Sequence, residues 1–332
     1  MDAPASIDVI IPARGETPWL ADSLLSIAAQ TLAPAVVILV DDGVEEPGDA
    51  VALGERLFGG RFRLLANRGR GISAALNTGI ASSSATWIAR MDADDVAHPD
   101  RFEKQVDFLA ARPNGILGCG SQVRFMNASG KFLVRSRLLE SWEEIAPRLR
   151  AQTCFIHSSL MIQREALLAA PYRPALDGAE DVDLVLRLAE RGRIVNLAQP
   201  LLDYRIHLTQ ESFRMRARHT AIQELAFRLS LCRQKIRRDP LDEDPELAEK
   251  FIGWRLSTPG YFRARTALTA LRYAGINFSG RDLRGLAGCV GVALHSFPVT
   301  PAGWRIAWRV YRKAGAALLD TETPFKALNM RG

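Results

Sequence analysis

The 332-residue chain is poor in the residues that build metal fingers and disulfide scaffolds, with four cysteines and five histidines. Cys119, Cys154, Cys232 and Cys289 are widely separated and form no CxxC pair. That spacing excludes a disulfide framework and leaves reduced, buried thiols as the expectation. No HxH, HExxH or Cys/His pair of the zinc-enzyme type is present. No uninterrupted apolar run approaches the roughly 20 residues of a membrane-spanning helix. The opening "MDAPASIDVIIP" also lacks the cationic start and apolar stretch of a secretory signal. A cytoplasmic protein is expected.

What is present is an ordinary globular composition, 48% apolar and 24% charged. The formal net charge of +6 conceals an asymmetry: residues 1–204 hold 21 Lys+Arg against 26 Asp+Glu, whereas 205–332 hold 22 against 11. Two regions with different tasks are expected, 1–213 and 214–332. Basic charge can serve nucleic acid, but no nucleic-acid module accompanies it, and none is expected as a partner.

The acidic region reads as alternating strands and helices. "IDVIIPA" (7–13) and "AVVILVDD" (35–42) have the Val/Ile content of parallel strands buried on both faces. Between them Leu20, Leu24, Ile27 and Ala28 follow helical spacing after a Thr17 cap and Pro18. A helix at 49–58, the strand "RFRLLAN", a helix in "GISAALNTGIASS" and the strand "TWIARMD" repeat the cycle. The pattern predicts an α/β fold with an open, mostly parallel, Rossmann-like sheet and helices on both faces. Ligands of such sheets bind beyond the carboxyl ends of the strands. Asp41, Asp42 and Asp92 fall on that rim.

In "MDADDVAHPDR", Asp92, Asp94 and Asp95 lie within four residues. Such like charge is unfavourable unless a cation offsets it, and magnesium or manganese accepts carboxylate oxygens together with substrate phosphates. Helix capping or a solvated turn is the plainer explanation for Asp94 and Asp95. A competing motif is "GRGISA" (69–74), which matches G-x-G-x-x-A with Asp92 about 20 residues on, the pattern of an NAD(P)-dependent oxidoreductase. A ribose-binding acid accounts for one carboxylate and leaves the others unexplained. Arg68 and Arg70 suit a diphosphate under either reading.

The stretches "VIIPARGE", "SLLSIAAQT", "VVILVDDG", "NRGRGISAALNTGI", "WIARMDADDVAHPDRFEKQVDFL", "HSSLMIQREAL", "GAEDVDLVLRLAERG" and "LLDYRIHLTQES" occur in one order over residues 6–213. In that order they resemble the family 2 glycosyltransferases of the GT-A fold. The resemblance implies an inverting transferase using a nucleoside-diphosphate sugar, most simply a UDP-sugar, and Mn2+ or Mg2+. It implies that Asp94 contacts the metal, that Asp92 contacts the ribose or the metal shell, and that Asp42 reads the base beside Pro12. Asp181 in "AED" falls at the catalytic base, and His207 in "YRIH" near the diphosphate or metal. Arg205 was expected to share a strand face with His207. The chain departs from the usual pattern at Ala13-Arg14-Gly15, Val44 and Leu76.

The chemistry stands without the resemblance, because transfer to a hydroxyl needs a proton acceptor and stabilisation of the leaving diphosphate. Asp181, flanked by Glu180 and Asp183, was expected to gain basicity from that like charge. Favouring the positive end of the helix is the plainer role of these acids. His157 is expected near the acceptor end of the cleft or in the core, and His98 in a loop.

Beyond residue 213, Ile222, Leu225, Ala226, Leu229 and Ile236 form a helical stripe, "RRDPLDEDPE" reads as a turn, and 214–332 is expected to be mainly helical. Near the end Trp304, Trp308 and Tyr311 lie beside Arg305, Arg309 and Arg312. Those stripes fit either packing or the surface of an anionic membrane, and the resemblance implies glycan or lipid-linked acceptors at the inner membrane face in surface polysaccharide synthesis. A catalytically silent carbohydrate-binding relative is the third reading.

Overall fold

The computed structural model describes residues 6–14, 17–43, 48–112, 115–149, 152–210, 215–258 and 261–296. The aromatic and arginine stripes at 304–312 lie outside the described residues. The chain forms two compact units. One comprises Met1–Val123, Leu138–Leu149 and Thr153–Tyr204; the other comprises Arg124–Arg137, Arg150–Gln152 and Arg205–Gly332.

In the first unit the order is β1 (Ile7–Ala13), α1 (Leu20–Ala28), β2 (Val36–Asp41), α2 (Asp49–Phe58), β3 (Phe62–Ala66), α3 (Gly71–Ser82), β4 (Trp87–Arg90), β5 (Val96–Ala97) and α4 (Arg101–Ala110). Then come β6 (Ile116–Asn127), β7 (Phe132–Arg135), α5 (Trp142–Ile145), β8 (Met161–Gln163), α6 (Arg164–Ala169), α7 (Glu180–Ala189) and β9 (Arg193–Ile206), β7 and the ends of β6 and β9 falling in the second unit. The sheet runs β3-β2-β1-β4-β8-β6-β9-β5, with β7 paired to β6. The first four strands are parallel, and β8 runs antiparallel to β4.

The buried runs explain the centre of this sheet. Val9, Ile10 and Ile11 of β1 and Val37, Ile38 and Val40 of β2 are all inaccessible to solvent. Strands covered on both faces use continuous Val/Ile runs rather than alternation. Leu20, Leu24 and Ile27 form the buried stripe of α1. Helix α1 begins at Leu20, later than Thr17-Pro18 suggested, because the Thr17 hydroxyl accepts from Trp19 N at 3.4 Å and donates to Ala93 O at 3.4 Å. The chain leaves β1 for β2 and β3 on one side and returns for β4 on the other. That reversal opens a crevice at the carboxyl ends of β1 and β4.

In the second unit α8 (Arg216–Ile236), α9 (Pro240–Glu243), α10 (Leu247–Ser257), α11 (Tyr261–Ser279) and α12 (Leu283–Ser296) follow. Ile222, Leu225, Ala226 and Leu229 are buried as their stripe requires, whereas Ile236 is 59% exposed. Ile236 is the last residue of α8, and the left-handed Arg237 ends the helix there. The expected turn at 237–246 contains a helix, because the Asp239 carboxylate accepts from Leu241 N at 3.0 Å and caps α9. Ala270, Ala274 and Cys289 form a small core between α11 and α12. No helix among the described residues is long and apolar enough to cross a membrane.

Candidate active site

Backbone hydrogen bonds continue the sheet past its strand ends and fix the rim. Asp42 N donates to Ala13 O at 2.8 Å, Asn67 N to Asp41 O at 2.8 Å, and Met91 N to Ile10 O at 3.1 Å. Pro12, Asp42 and Asp92 therefore lie along one edge. Helix α1 holds the acidic loop that follows β4: Ser23 Oγ donates to Asp92 O at 3.1 Å, and Ser26 Oγ accepts from Ala97 N at 3.0 Å.

One carboxylate oxygen from each of Asp92, Asp94 and Asp95 lies within 4.8 Å of the others. At that separation each ionised pair repels by about 3 kcal/mol at an effective dielectric constant of about 20. The capping explanation does not account for this arrangement, since α4 starts at Arg101 with Asp100 at its N-cap. Asp95 is fully buried, while Asp92 and Asp94 are half-buried. An all-oxygen set of three carboxylates gathered this closely fits a hard divalent cation. Burial pushes the Asp92 carboxyl above its usual range, Arg90 opposes that shift, and Asp94 and Asp181 add to it.

The glycine loop is built around two carboxylates. Asp42 accepts from Asn67 Nδ2 at 2.7 Å and from Gly71 N at 3.0 Å. Asp177 accepts from Ser73 N at 3.1 Å. Gly71 has φ +83°, and a Cβ there would lie 2.0 Å from Asp177 Oδ2. Asp177 thus occupies the N-terminal end of α3, the seat that a dinucleotide pyrophosphate would need. The nicotinamide reading of "GRGISA" is not favoured. Arg70, at the N-cap of α3, is exposed.

Asp181 stands in the first turn of α7, half-buried, with Oδ1 accepting from Val182 N at 2.8 Å. Burial raises its carboxyl. Asp183 does not contribute as the sequence suggested: it is fully buried between Arg173 Nε at 3.0 Å and Arg187 Nε at 2.9 Å, which neutralise it. Glu180 is pushed up to about 8 by burial and then by Asp181. Its Oε2 accepts from Gly178 N at 2.8 Å, and its Oε1 lies 3.7 Å from His157 Nδ1. His157 is a buried core residue, 2.8 Å from the Tyr172 hydroxyl through Nε2. Burial, with help from Arg90, holds its imidazole well below the usual histidine range.

Arg205 and His207 fall in the second unit. Strand β9 ends at Ile206, so the alternation expected to align the two does not extend to His207. Arg205 is buried and its Nη1 donates to Ala128 O at 3.1 Å; His207 is half-buried, with Nδ1 2.8 Å from Thr209 Oγ1. His98 follows β5 as a loop residue, but its Nε2 meets Asp203 Oδ1 at 2.8 Å. Two residues that sequence reasoning missed are Asp177 and Arg90. Nothing local signals Asp177, which is 104 positions from Ser73. Arg90 did carry a signal, because it is two residues before Asp92 at a strand end, where alternate side chains share a side.

A family model described as glycosyl transferase family 2 matches residues 8–169. EpsE of Bacillus subtilis is 30% identical over 243 residues, 70% of this chain and 84% of that one. The chain belongs to glycosyltransferase family 2. Another relative, the O-antigen biosynthesis glycosyltransferase WbnJ of Escherichia coli, is 29% identical over 209 residues, 60% of this chain and 80% of its own. The fold agrees with the GT-A architecture. The mannosyltransferase PcManGT of Pyrobaculum calidifontis, solved with GDP-Man and Mn2+, superposes with a TM-score of 0.51 at 18% identity, covering 97% of this chain and 89% of that one. Within this family 2 glycosyltransferase the rim, the carboxylate triad and the start of α7 all belong to the first unit.

Proposed function

We propose that this glycosyltransferase moves a sugar from a nucleoside diphosphate, in our reading a UDP-sugar, to a hydroxyl of a glycan or lipid-linked acceptor, with inversion at the anomeric carbon. The observation that carries the proposal is the gathering of Asp92, Asp94 and Asp95 on the rim that also holds Asp42, with Asp181 in electrostatic reach of Asp92. Asp94, with Asp92 beside it, would hold a divalent cation, Mn2+ or Mg2+, which supplies charge stabilisation to the departing diphosphate.

The chain's own residues do the rest. Asp42 and Pro12 border the base, and Arg70, exposed at the N-cap of α3, serves as a diphosphate partner. Asp181 takes the proton of the acceptor hydroxyl as its oxygen bonds to the anomeric carbon and the bond from that carbon to the diphosphate breaks. Its burial favours the proton-accepting role, because it makes the carboxylate more basic than an exposed one. Attack opposite the leaving group inverts the configuration. Arg205 was assigned to the nucleotide sugar, but its burial against Ala128 supports a role in holding the second unit's turn.

The name of WbnJ supports a place in surface polysaccharide synthesis, with the basic region 214–332 meeting the membrane surface that carries the acceptor. Calorimetry with a panel of UDP- and GDP-sugars, with Mn2+ and with chelator, tests the proposal. Binding that requires Mn2+ and is lost in Asp94→Ala is the expected result; binding indifferent to both would overturn it.

A further inference from the structure

Arg90 ends β4 inside the site and has 6% of its surface exposed. Its Nη2 pairs with Asp92 Oδ1. Its Nε and Nη1, both buried, make no hydrogen bond among the described residues. A buried guanidinium cannot neutralise itself by losing a proton, so its charge must be balanced by its surroundings. Asp92 is its one ion-pair partner among the described residues. The backbone on either side is held as well. Arg101, fully buried, donates through Nη2 to Arg90 O at 2.9 Å and through Nη1 to Met91 Sδ at 3.4 Å. The backbone that carries the guanidinium is therefore held from α4, and the guanidinium itself pairs with Asp92, its charge also bearing on Asp95.

We infer that Arg90 is a positioning residue for the acidic triad, holding one oxygen of Asp92 and leaving the other for the ribose or the metal shell, while Asp94 holds the cation. The inference rests on the glycosyltransferase reading of the site. It explains how three carboxylates within four residues avoid acting as one undifferentiated acidic patch. The charge of Arg90 also bears on His157, Tyr172, Glu180 and Asp181, so the same guanidinium acts electrostatically on both the triad and the start of α7.

The test uses the 332-residue chain and two probes, UDP by calorimetry and Mn2+ alone by its paramagnetic signal. In Arg90→Gln, UDP binding is expected to weaken by about tenfold, the scale of a lost charge-assisted contact. Mn2+ binding is expected to tighten by about threefold or more, because a cation is removed from beside the carboxylates and Asp92 is released. In an Asp92→Asn background, Arg90→Gln should change UDP affinity by less than about twofold, since the two residues act through one another. Arg90→Lys keeps the charge without the fork; it should leave Mn2+ affinity near wild type while weakening UDP, and it stands in if Arg90→Gln does not fold. A residue that merely supports the fold would weaken both probes together. Arg90→Gln or Arg90→Lys binding UDP as wild type does, losses that multiply with Asp92→Asn, or unchanged or weaker Mn2+ binding in Arg90→Gln would each overturn the inference. Wild-type protein that binds Mn2+ but no nucleotide would instead count against the glycosyltransferase reading, with the Mn2+ arm still deciding the role of Arg90.

Discussion

Gly71→Ala is the perturbation whose cost can be worked most directly from the structure. The residue has φ +83°, and the added methyl would lie 2.0 Å from Asp177 Oδ2, so the carboxylate must move off the start of α3. Holding an L-residue at positive φ costs about 1–2 kcal/mol. Losing the hydrogen bond from Ser73 N to the charged carboxylate costs about 1–3 kcal/mol more. For a unit of this size each kcal/mol moves the melting temperature by about 2–4 °C, so a drop of roughly 5–15 °C is expected. Thermal melting followed by circular dichroism measures it. The steric part is separable, because Asp177→Ala removes the group with which the methyl collides. The double variant should therefore melt well above the sum of the two single losses. A drop under about 2 °C for Gly71→Ala, or simple additivity of the two changes, would refute the reasoning.

Asp181→Asn should lower turnover by about a hundredfold or more while leaving nucleotide affinity within about twofold, as read by product formation and by calorimetry. Glu180 has a folded pKa of about 8, above its unfolded 4.5, so its contribution is fully present below pH 4.5 and is lost as pH rises through about 8. Glu180→Gln, which stays neutral, should therefore melt progressively higher relative to wild type between pH 5 and pH 9; a constant difference across that range would count against the buried carboxyl. Asp183→Ala strands Arg173 and Arg187 around a fully buried site and should cost about 3–5 kcal/mol in chemical denaturation, far above the effect of an exposed ion pair. Asp94→Ala should remove the Mn2+ dependence of nucleotide binding while leaving the melting temperature within about 2 °C in chelator.

The parts of the fold that were legible in the sequence are those where local chemistry decides. β1 and β2 were recognisable because strands covered on both faces need unbroken Val/Ile runs, and the alternating strand–helix order put α2 near 49–58. The start of α1 was misplaced because Thr17 spends its hydroxyl on Ala93, 76 positions away. Asp92 and Asp42 could be put on one rim from strand ends alone. The neutralisation of Asp183 could not, since Arg173 reaches it from the preceding loop and removes its expected contribution to Asp181, whose carboxyl is raised by burial instead. Asp177 was hidden for the same reason. The sequence shows which charges exist, and the long-range partners decide which of them remain available for chemistry.

The central claim is that the triad and Asp42 form a cation-assisted nucleotide site. Calorimetric titration of UDP and UDP-sugars into the full chain, first with Mn2+ and then with excess chelator, tests it most directly. Saturable one-to-one binding with Mn2+, weakened by about tenfold or more on chelation and by Asp94→Ala, is the expected result. Equal binding with and without the ion would contradict it, as would the absence of any binding to UDP- or GDP-linked sugars.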